Sequence, residues 1–232
     1  YAATAITAIT VQNTLGVTGV HAVPPEIVAG QIRAVMDDIK PRAVKVGMVN
    51  DIDTINAIAD TLANYDIQHL VVDPVMVATS GARLMQDEAV EVFTKKLLPM
   101  ASLLTPNVPE AEVLAGIPIN DKDSMEKAAH IIHSKGCKAL LIKGGHIEGR
   151  KIDRLYTAMG MEREYEAANV ATRNTHGTGC TLSSAITSYL AMGYAIGEAI
   201  AAAKEWLTGA LIAGANVEIG SGHGPVNHFY NP

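Results

Sequence analysis

The chain has 232 residues, of which 24 are acidic and 18 basic, and its formal net charge is −6. This length suits one large α/β domain with a substantial core. The sequence has no basic run that would indicate nucleic-acid binding. It also has no apolar run of the roughly 18 residues that a membrane span needs. Two widely separated cysteines, Cys137 and Cys180, fit a reducing cytosol, so we expect a cytoplasmic protein.

Short apolar or β-branched runs alternate with helical patterns along the chain. The predicted strands cover residues 4–11, 43–48, 69–73, 102–105, 138–143, 154–158 and 162–167. The predicted helices cover residues 24–39, 87–98, 108–115, 124–135, 177–192 and 196–215. A further predicted helix begins at Asp51 or Asp53, one of which caps it, and runs to about residue 65. This alternation predicts an α/β fold with a mostly parallel central sheet flanked by helices on both faces. The last two strands form a hairpin that adds antiparallel edge strands.

Polar residues follow three of the predicted strands. They are Asp73, the segment Thr105-Pro106-Asn107 and the segment Lys143-Gly144-Gly145. In open α/β sheets, ligands bind beyond the carboxyl ends of the strands. We therefore expect these three clusters to converge on one cleft.

The segment Asn174-Thr-His-Gly-Thr-Gly-Cys180 is the most informative part of the chain. Gly177 and Gly179 bracket Thr178, and a helical pattern follows at once. A glycine-rich turn that opens a helix presents free backbone N–H groups at the positive end of the helix dipole, and these groups bind anions. The dipole should also make the Cys180 thiol ionise more easily than a free thiol. An anion cradle beside a potential base suggests transfer of a phosphoryl group; a plain tight turn with a buried cysteine remains the alternative.

This turn is neither a dinucleotide fingerprint nor a P-loop. Leu182 stands where the fingerprint needs its third glycine. Gly144 and Gly149 have the spacing of a P-loop start, but Arg150-Lys151-Ile152 follows them instead of Lys and Ser or Thr.

Several other side chains have both a functional and a structural interpretation. Lys143 is either a phosphate contact or a solvated lysine at a strand end. Asp73 either belongs to a metal or phosphate network or ends its strand at a turn. Asn107 and Glu110 suit a hydrated Mg²⁺, but their spacing also fits an N-cap box, which the residues alone favour.

The predicted pocket residues are equally open to two interpretations. Gln12 either binds the edge of a heterocycle through its amide or is an ordinary polar residue at a strand end. Met48 and Val75 either line an apolar pocket or pack in the core.

Taken together, the motifs closely resemble the hydroxymethylpyrimidine/phosphomethylpyrimidine kinases of thiamine biosynthesis, in the ribokinase-like superfamily. The resemblance runs in order from end to end. The matching segments are Ile6-Thr-Ala-Ile-Thr-Val-Gln-Asn-Thr14, Lys45-Val-Gly-Met48, Val71-Val-Asp-Pro-Val-Met76, Leu104-Thr-Pro-Asn-Val-Pro-Glu-Ala111, Lys143-Gly-Gly-His146, Asn174-Thr-His-Gly-Thr-Gly-Cys180 and Gly222-His-Gly-Pro-Val-Asn-His228.

The resemblance implies a ribokinase-like fold and ATP-dependent phosphorylation of 4-amino-5-hydroxymethyl-2-methylpyrimidine, followed by a second transfer that gives the diphosphate. It implies ATP and Mg²⁺ as cofactors and a homodimer as the assembly. By the same resemblance, Cys180 is the catalytic base and Gly177, Thr178 and Gly179 form its anion hole. Lys143, Asn107 and Thr175 are assigned to ATP, Asp73 and Glu110 to Mg²⁺ through water or phosphate, and Gln12, Met48 and Val75 to the pyrimidine.

The chain departs from the family pattern at its start. The family begins with a strand, a segment of Ser-Gly-Gly-Ala-Gly type and an aspartate that helps hold the pyrimidine, and none of these precedes Tyr1. We therefore expect residues 1–232 to form a single kinase domain that lacks this N-terminal segment. Two rival functions remain at this point: a pyridoxal or pyridoxine kinase, and a non-catalytic sensor of a thiamine precursor.

Overall fold

The computed structural model describes residues 1–76, 85–145 and 151–231. Within these residues, six strands form one sheet in the order β3-β4-β5-β6-β7-β8, and β1 and β2 form a separate two-stranded sheet. The strands are β1 (Ala8–Asn13), β2 (Gly16–Ala22), β3 (Ala43–Val46), β4 (His69–Val72), β5 (Leu103–Leu104), β6 (Ala139–Gly145), β7 (Ile152–Thr157) and β8 (Gly160–Glu166). Strands β3 to β6 pair in parallel, and β7 and β8 are antiparallel. The mostly parallel sheet with antiparallel edge strands is confirmed.

The helices also follow the predicted order. They are α1 (Pro25–Asp38), α2 (Ile52–Leu62), α3 (Asp87–Lys96), α4 (Val108–Ala115), α5 (Lys122–Ser134), α6 (Thr178–Ala191) and α7 (Ile196–Gly214), with a short 3₁₀ helix at Leu98–Met100. Asp51 caps α2, because its carboxylate accepts a hydrogen bond from the Thr54 amide. Across the described ranges, none of these helices is long and apolar enough to cross a membrane.

The two faces of the main sheet carry separate apolar cores. On one face, Val72 and Leu104 pack in the core with helices α1 to α5. On the other face, Val71 and Leu103 pack with α6 and α7. Successive side chains of a strand point to opposite faces. Both faces are therefore covered, which explains why the parallel strands consist mostly of apolar residues.

The first predicted strand, over residues 4–11, is wrong in its bounds and in its role. The segment instead contributes to the hairpin of β1 and β2, which lies outside the main sheet. The turn between the strands is closed locally: the Asn13 side chain accepts a hydrogen bond from the Leu15 amide at 2.8 Å, and Gly16 has a φ of 152°. This asparagine turn chemistry, with the short Val-Thr-Gly-Val run after it, was the missed hairpin signal.

Candidate active site

Four polar side chains lie on the α6 face of the sheet near the carboxyl ends of its parallel strands. Lys45 in β3 follows the same alternation as Ala43, which packs on this face. Asp73, Thr105 and Lys143 are each two residues beyond an apolar side chain of this face, namely Val71, Leu103 and Leu141. The two-residue period of extended chain therefore brings these four side chains to one region.

Asp73 is the centre of this region. It is 1% exposed and accepts hydrogen bonds from three elements. Lys143 Nζ lies 2.7 Å from Oδ1, Thr105 Oγ1 lies 3.1 Å from Oδ1, and Ser183 Oγ in α6 lies 3.0 Å from Oδ2. The predicted convergence of the strand ends is confirmed by these contacts.

The ammonium group of Lys143 faces the glycine turn at the start of α6. A Cβ atom built on Gly179 would lie 3.2 Å from Lys143 Nζ. Burial lowers the pKa of Lys143, but the carboxylates of Asp73 and Glu110 outweigh burial and raise it overall. Lys143 therefore stays charged across the neutral range and can attract phosphate.

The turn itself has the geometry of an anion site. Gly177 adopts a left-handed conformation with a φ of 79° and α6 begins at Thr178. The Thr178 amide and hydroxyl both donate to the Thr175 carbonyl, at 3.2 and 2.6 Å. Among the described residues, the amides of Gly179 and Cys180 have no hydrogen-bond partner. These two N–H groups, at the positive end of α6, are available to an anionic ligand.

Cys180 lies in this turn and is exposed to solvent, in contrast to the buried Cys137. The expected lowering of its pKa is wrong. Surrounding protein desolvates the thiol and raises its pKa, and the carboxylates of Asp73 and Glu110 act in the same direction. Lys45 and Lys143 oppose them. The sequence argument considered the helix dipole alone and omitted the two carboxylates that the fold brings near the thiol.

Asn107 and Glu110 form the N-cap box that their spacing favours. Asn107 Oδ1 accepts from the Glu110 amide, and Glu110 Oε2 accepts from the Asn107 amide, both at 2.8 Å. Burial raises the pKa of the Glu110 carboxyl, although Lys143 lowers it. The backbone of Asn107 also pairs with that of Lys143 as an isolated parallel bridge, so the start of α4 lies beside the end of β6.

Of the remaining predicted residues, Gln12 contacts the turn, whereas Met48 and Val75 follow the strands β3 and β4. The Gln12 amide contacts His176 Nε2 at 3.2 Å, which brings the β1–β2 hairpin to the turn. Met48 follows β3 and its carbonyl accepts from the Thr7 hydroxyl, while Val75 follows β4 and donates its amide to the Asp73 carbonyl. The segment 220–225, interpreted from the sequence as a turn with the family's usual tail, joins the hairpin to the turn. The His223 amide donates to the Thr14 carbonyl, and the His176 amide to the Gly224 carbonyl.

Lys45 and Ser183 were missed as residues of this region, and Thr105 was predicted only as part of a strand-end cluster, with no role of its own. The two-residue strand period was a usable signal for Lys45 and Thr105. Ser183 was harder to find, because only the packing of α6 on the sheet brings its hydroxyl to Asp73. The sequence also predicts that the segment 144–151 forms a flap over ATP, and residues 146–150 of this segment lie outside the described residues.

A β-carbon at Gly179 should cost activity. We expect Gly179→Ala to lower kcat by about 10²- to 10³-fold, because the methyl group would displace the Lys143 ammonium and crowd the free amides of the turn. Steady-state kinetics with varied ATP measures this loss. The matched control is Gly30→Ala in α1, where an added Cβ meets nothing within 4 Å; equal losses in the two variants would exclude a special role for Gly179.

Comparisons with known proteins agree with this geometry. The family model described as phosphomethylpyrimidine kinase matches residues 1–227. The hydroxymethylpyrimidine/phosphomethylpyrimidine kinase of Rhizobium meliloti is 46% identical, over 99% of this chain and 86% of that protein. The thiamine biosynthesis bifunctional protein ThiED of Geobacter sulfurreducens is 47% identical over 99% of this chain. The chain spans 46% of that bifunctional protein.

Solved structures show the same fold. The phosphomethylpyrimidine kinase of Clostridium difficile 630 has a TM-score of 0.79 and 44% identity, over 90% of this chain and 85% of that chain. The pyridoxal kinase of Bacillus subtilis, solved as an ADP complex, has a TM-score of 0.85 and 31% identity, over 97% of this chain and 84% of that chain.

Proposed function

The chain belongs to the phosphomethylpyrimidine kinase family, and we propose that it uses ATP to phosphorylate 4-amino-5-hydroxymethyl-2-methylpyrimidine and then the resulting monophosphate, giving the diphosphate for thiamine biosynthesis. The observation that carries this proposal is the joint placement of Cys180, the free amides of Gly179 and Cys180, and the Lys143 ammonium group. A base, two anion-binding donors and a fixed cation are the groups that phosphoryl transfer to an alcohol requires.

In the first transfer, the substrate hydroxyl lies over Cys180, whose ionised form, the thiolate, accepts the proton and becomes the thiol. The alcohol oxygen forms a bond to the γ-phosphorus of ATP as the bond from that phosphorus to the β–γ bridging oxygen breaks, and ADP leaves. The amides of Gly179 and Cys180 stabilise the charge of the transferring group, and Lys143 neutralises the ATP oxygens. Asn107 and Thr175 border the same site and would contact the nucleotide.

The donor set fits Mg²⁺ held through water or phosphate. Mg²⁺ usually takes one or two carboxylates and keeps several waters or phosphate oxygens. The buried carboxyl groups of Asp73 and Glu110 fit that role, and no cluster of three or more metal-ligating side chains occurs in the described residues. When bound, the ion would neutralise phosphate charge, while Asp73 continues to orient Lys143.

The acceptor pocket would lie between the hairpin and the ends of β3 and β4. We assign Gln12 to the polar edge of the pyrimidine and Met48 and Val75 to its apolar faces. A pyridoxal kinase is the second candidate, because pyridoxal is also a flat heterocycle with a hydroxymethyl group and pyridoxal kinases share the fold.

The test is ADP release with ATP and Mg²⁺, supplying hydroxymethylpyrimidine, its monophosphate or pyridoxal separately. Turnover of both pyrimidines supports the proposal. Turnover of pyridoxal alone would support the second candidate. Thermal stabilisation by ligand without any turnover would instead indicate a binding protein.

The outer surface of the hairpin supports assembly as a homodimer. Ile9, Val11 and Leu15 are exposed by 58%, 64% and 69% on a two-stranded sheet that the main sheet does not cover. Such a patch suits a second copy of the chain. Sedimentation equilibrium of wild-type protein and of Val11→Lys tests whether the chain forms this dimer.

The free thiols of Cys137 and Cys180 suit a reducing compartment such as the cytoplasm.

A further inference from the structure

Lys45 is a second cation beside the glycine turn, and the mechanism above does not use it. It is half-buried in β3 and makes no hydrogen bond or ion pair within the described parts of the chain. Its side chain bends over Gly47, toward the carboxyl end of the strand, since a Cβ atom at Gly47 would lie 2.5 Å from Lys45 Nζ. A partly desolvated ammonium group without a counter-charge is suited to an anionic ligand.

The position of Lys45 relative to the turn is also defined. It is on the sheet face that α6 covers, and α6 packs against both β3 and β4. Its charge acts on the Cys180 thiol and favours the ionised form, as does that of Lys143. The two lysines therefore approach the start of α6 from different strands, β3 and β6.

The two lysines differ in how far they are already neutralised. Lys143 is held by Asp73 at 2.7 Å, with its side chain 14% exposed. It also faces Gly179, so its ligand would be the phosphoryl group bound in the turn. Among the residues that the structure describes, Lys45 has no such carboxylate partner, so its charge is available to a further anion close to Cys180.

We propose that Lys45 binds the phosphate of the monophosphorylated acceptor and is thereby a specificity-determining residue for the second transfer. This inference rests on the proposed function. The first acceptor is an uncharged alcohol and needs no additional cation. The second acceptor brings a phosphate toward the ATP phosphates, and that repulsion must be offset within the site.

The second transfer does not require a base from the protein. An oxygen of the acceptor phosphate forms a bond to the γ-phosphorus of ATP. The bond from that phosphorus to the β–γ bridging oxygen breaks, and ADP leaves with the electron pair. Because the attacking oxygen is already ionised, no proton has to be removed, and the protein must chiefly hold the two anions in line.

The test compares the two transfers in Lys45→Met. We expect kcat/KM for the monophosphate to fall by about 10- to 100-fold more than kcat/KM for hydroxymethylpyrimidine, with the difference mainly in KM. Lys138→Met is the matched control. It removes the same charge from an exposed site at the amino end of β6, and both transfers should stay unchanged.

Gly47→Ala tests the position of the charge without removing it. The added methyl group should push aside the Lys45 ammonium, which is the flexible end of a side chain. We expect this variant also to weaken the second transfer more than the first. Thermal stabilisation of each variant by the monophosphate alone, without ATP, supplies a binding readout that is independent of turnover.

Each outcome decides the inference. Equal losses in both transfers of Lys45→Met would overturn it and would indicate that Lys45 acts through Cys180 or ATP. Unchanged kinetics in both transfers would overturn it as well. A wild-type protein that turns over neither pyrimidine would overturn the proposed function and, with it, this inference. If the wild-type protein turns over both pyrimidines, the proposed function holds and the kinetics of Lys45→Met test the role of Lys45 alone.

Discussion

Replacing Cys180 with alanine should lower kcat for hydroxymethylpyrimidine by about 10²- to 10⁴-fold and change the Kd for ATP only a few-fold. The alanine variant keeps the backbone amides of the turn and Lys143, so the phosphate-binding groups remain. It removes the thiol that the proposed mechanism uses to accept the alcohol proton. Steady-state kinetics and ATP titration of the same preparation separate the two effects.

Two further variants sharpen this test. Cys137→Ala is the matched control, because Cys137 is a buried thiol whose pKa burial raises to about 12 and which takes no part in the site. Cys180→Asp supplies a carboxylate base at the same position, so it should recover part of the rate lost in Cys180→Ala. Near-normal turnover by Cys180→Ala would remove the thiol from the mechanism.

The pH dependence of kcat follows from the direction of the pKa shift at Cys180. Desolvation by the neighbouring protein atoms and the nearby carboxylates raise the pKa of this solvent-accessible thiol, so the thiolate is the minor form at neutral pH. The rate should therefore increase with pH until the pKa of the thiol is passed. This rise should be absent in Cys180→Ala and displaced to lower pH in Cys180→Asp, because a carboxyl ionises in the acidic range.

Much of the fold follows from local sequence signals. Continuous apolar segments at regular intervals predicted the parallel strands of the sheet. The spacing of Asn107 and Glu110 predicted an N-cap box, which the structure contains. The β1–β2 hairpin was missed because its strands are mostly exposed, so no buried face imposes a clear hydrophobic alternation on them.

The convergence of Asp73 and Lys143 was predictable because strand ends in a parallel sheet share one edge. The electrostatics of Cys180 was not, since the pKa of a thiol depends on every charge near it. Desolvation by the surrounding protein raises this pKa, and so do the carboxylates of Asp73 and Glu110. Asp73 and Glu110 are 107 and 70 residues from Cys180 in the sequence, as their numbers show. The local helix dipole includes none of these contributions, so the direction predicted from it was wrong.

Replacing Asp73 with asparagine should be the most disruptive neutralisation of a single charge in the site. The asparagine side chain would keep the shape but remove the counter-charge of a lysine whose side chain is only 14% exposed. Breaking a buried ion pair by removing one partner typically costs about 3–5 kcal/mol of stability. We also expect kcat/KM for ATP to fall by about 10²-fold, because Lys143 is no longer held charged toward the turn.

The matched control for stability is Asp60→Asn. Asp60 pairs with Lys96 at 2.9 Å, but the side chains of Lys96 and Asp60 are 40% and 68% exposed. Exposed pairs contribute about 1 kcal/mol or less, so denaturant unfolding should barely distinguish this variant from wild type. A similar small loss in Asp73→Asn would show that the pair of Asp73 and Lys143 does not act as a buried pair.

The double variant Asp73→Asn with Lys143→Met separates the structural role of Asp73 from its role in positioning Lys143. Removing both charges should recover much of the stability lost in Asp73→Asn, because no unpaired buried charge remains. It should not recover activity, because the cation that faces Gly179 is gone.

In Asp73→Asn alone, burial lowers the pKa of Lys143 with less opposition, so ATP affinity should improve as the pH falls and the amine is protonated. Lys143→Met, alone or in the double variant, has no amine to titrate and should not show this recovery. If Asp73→Asn also lacked it, Asp73 would not act by keeping Lys143 charged.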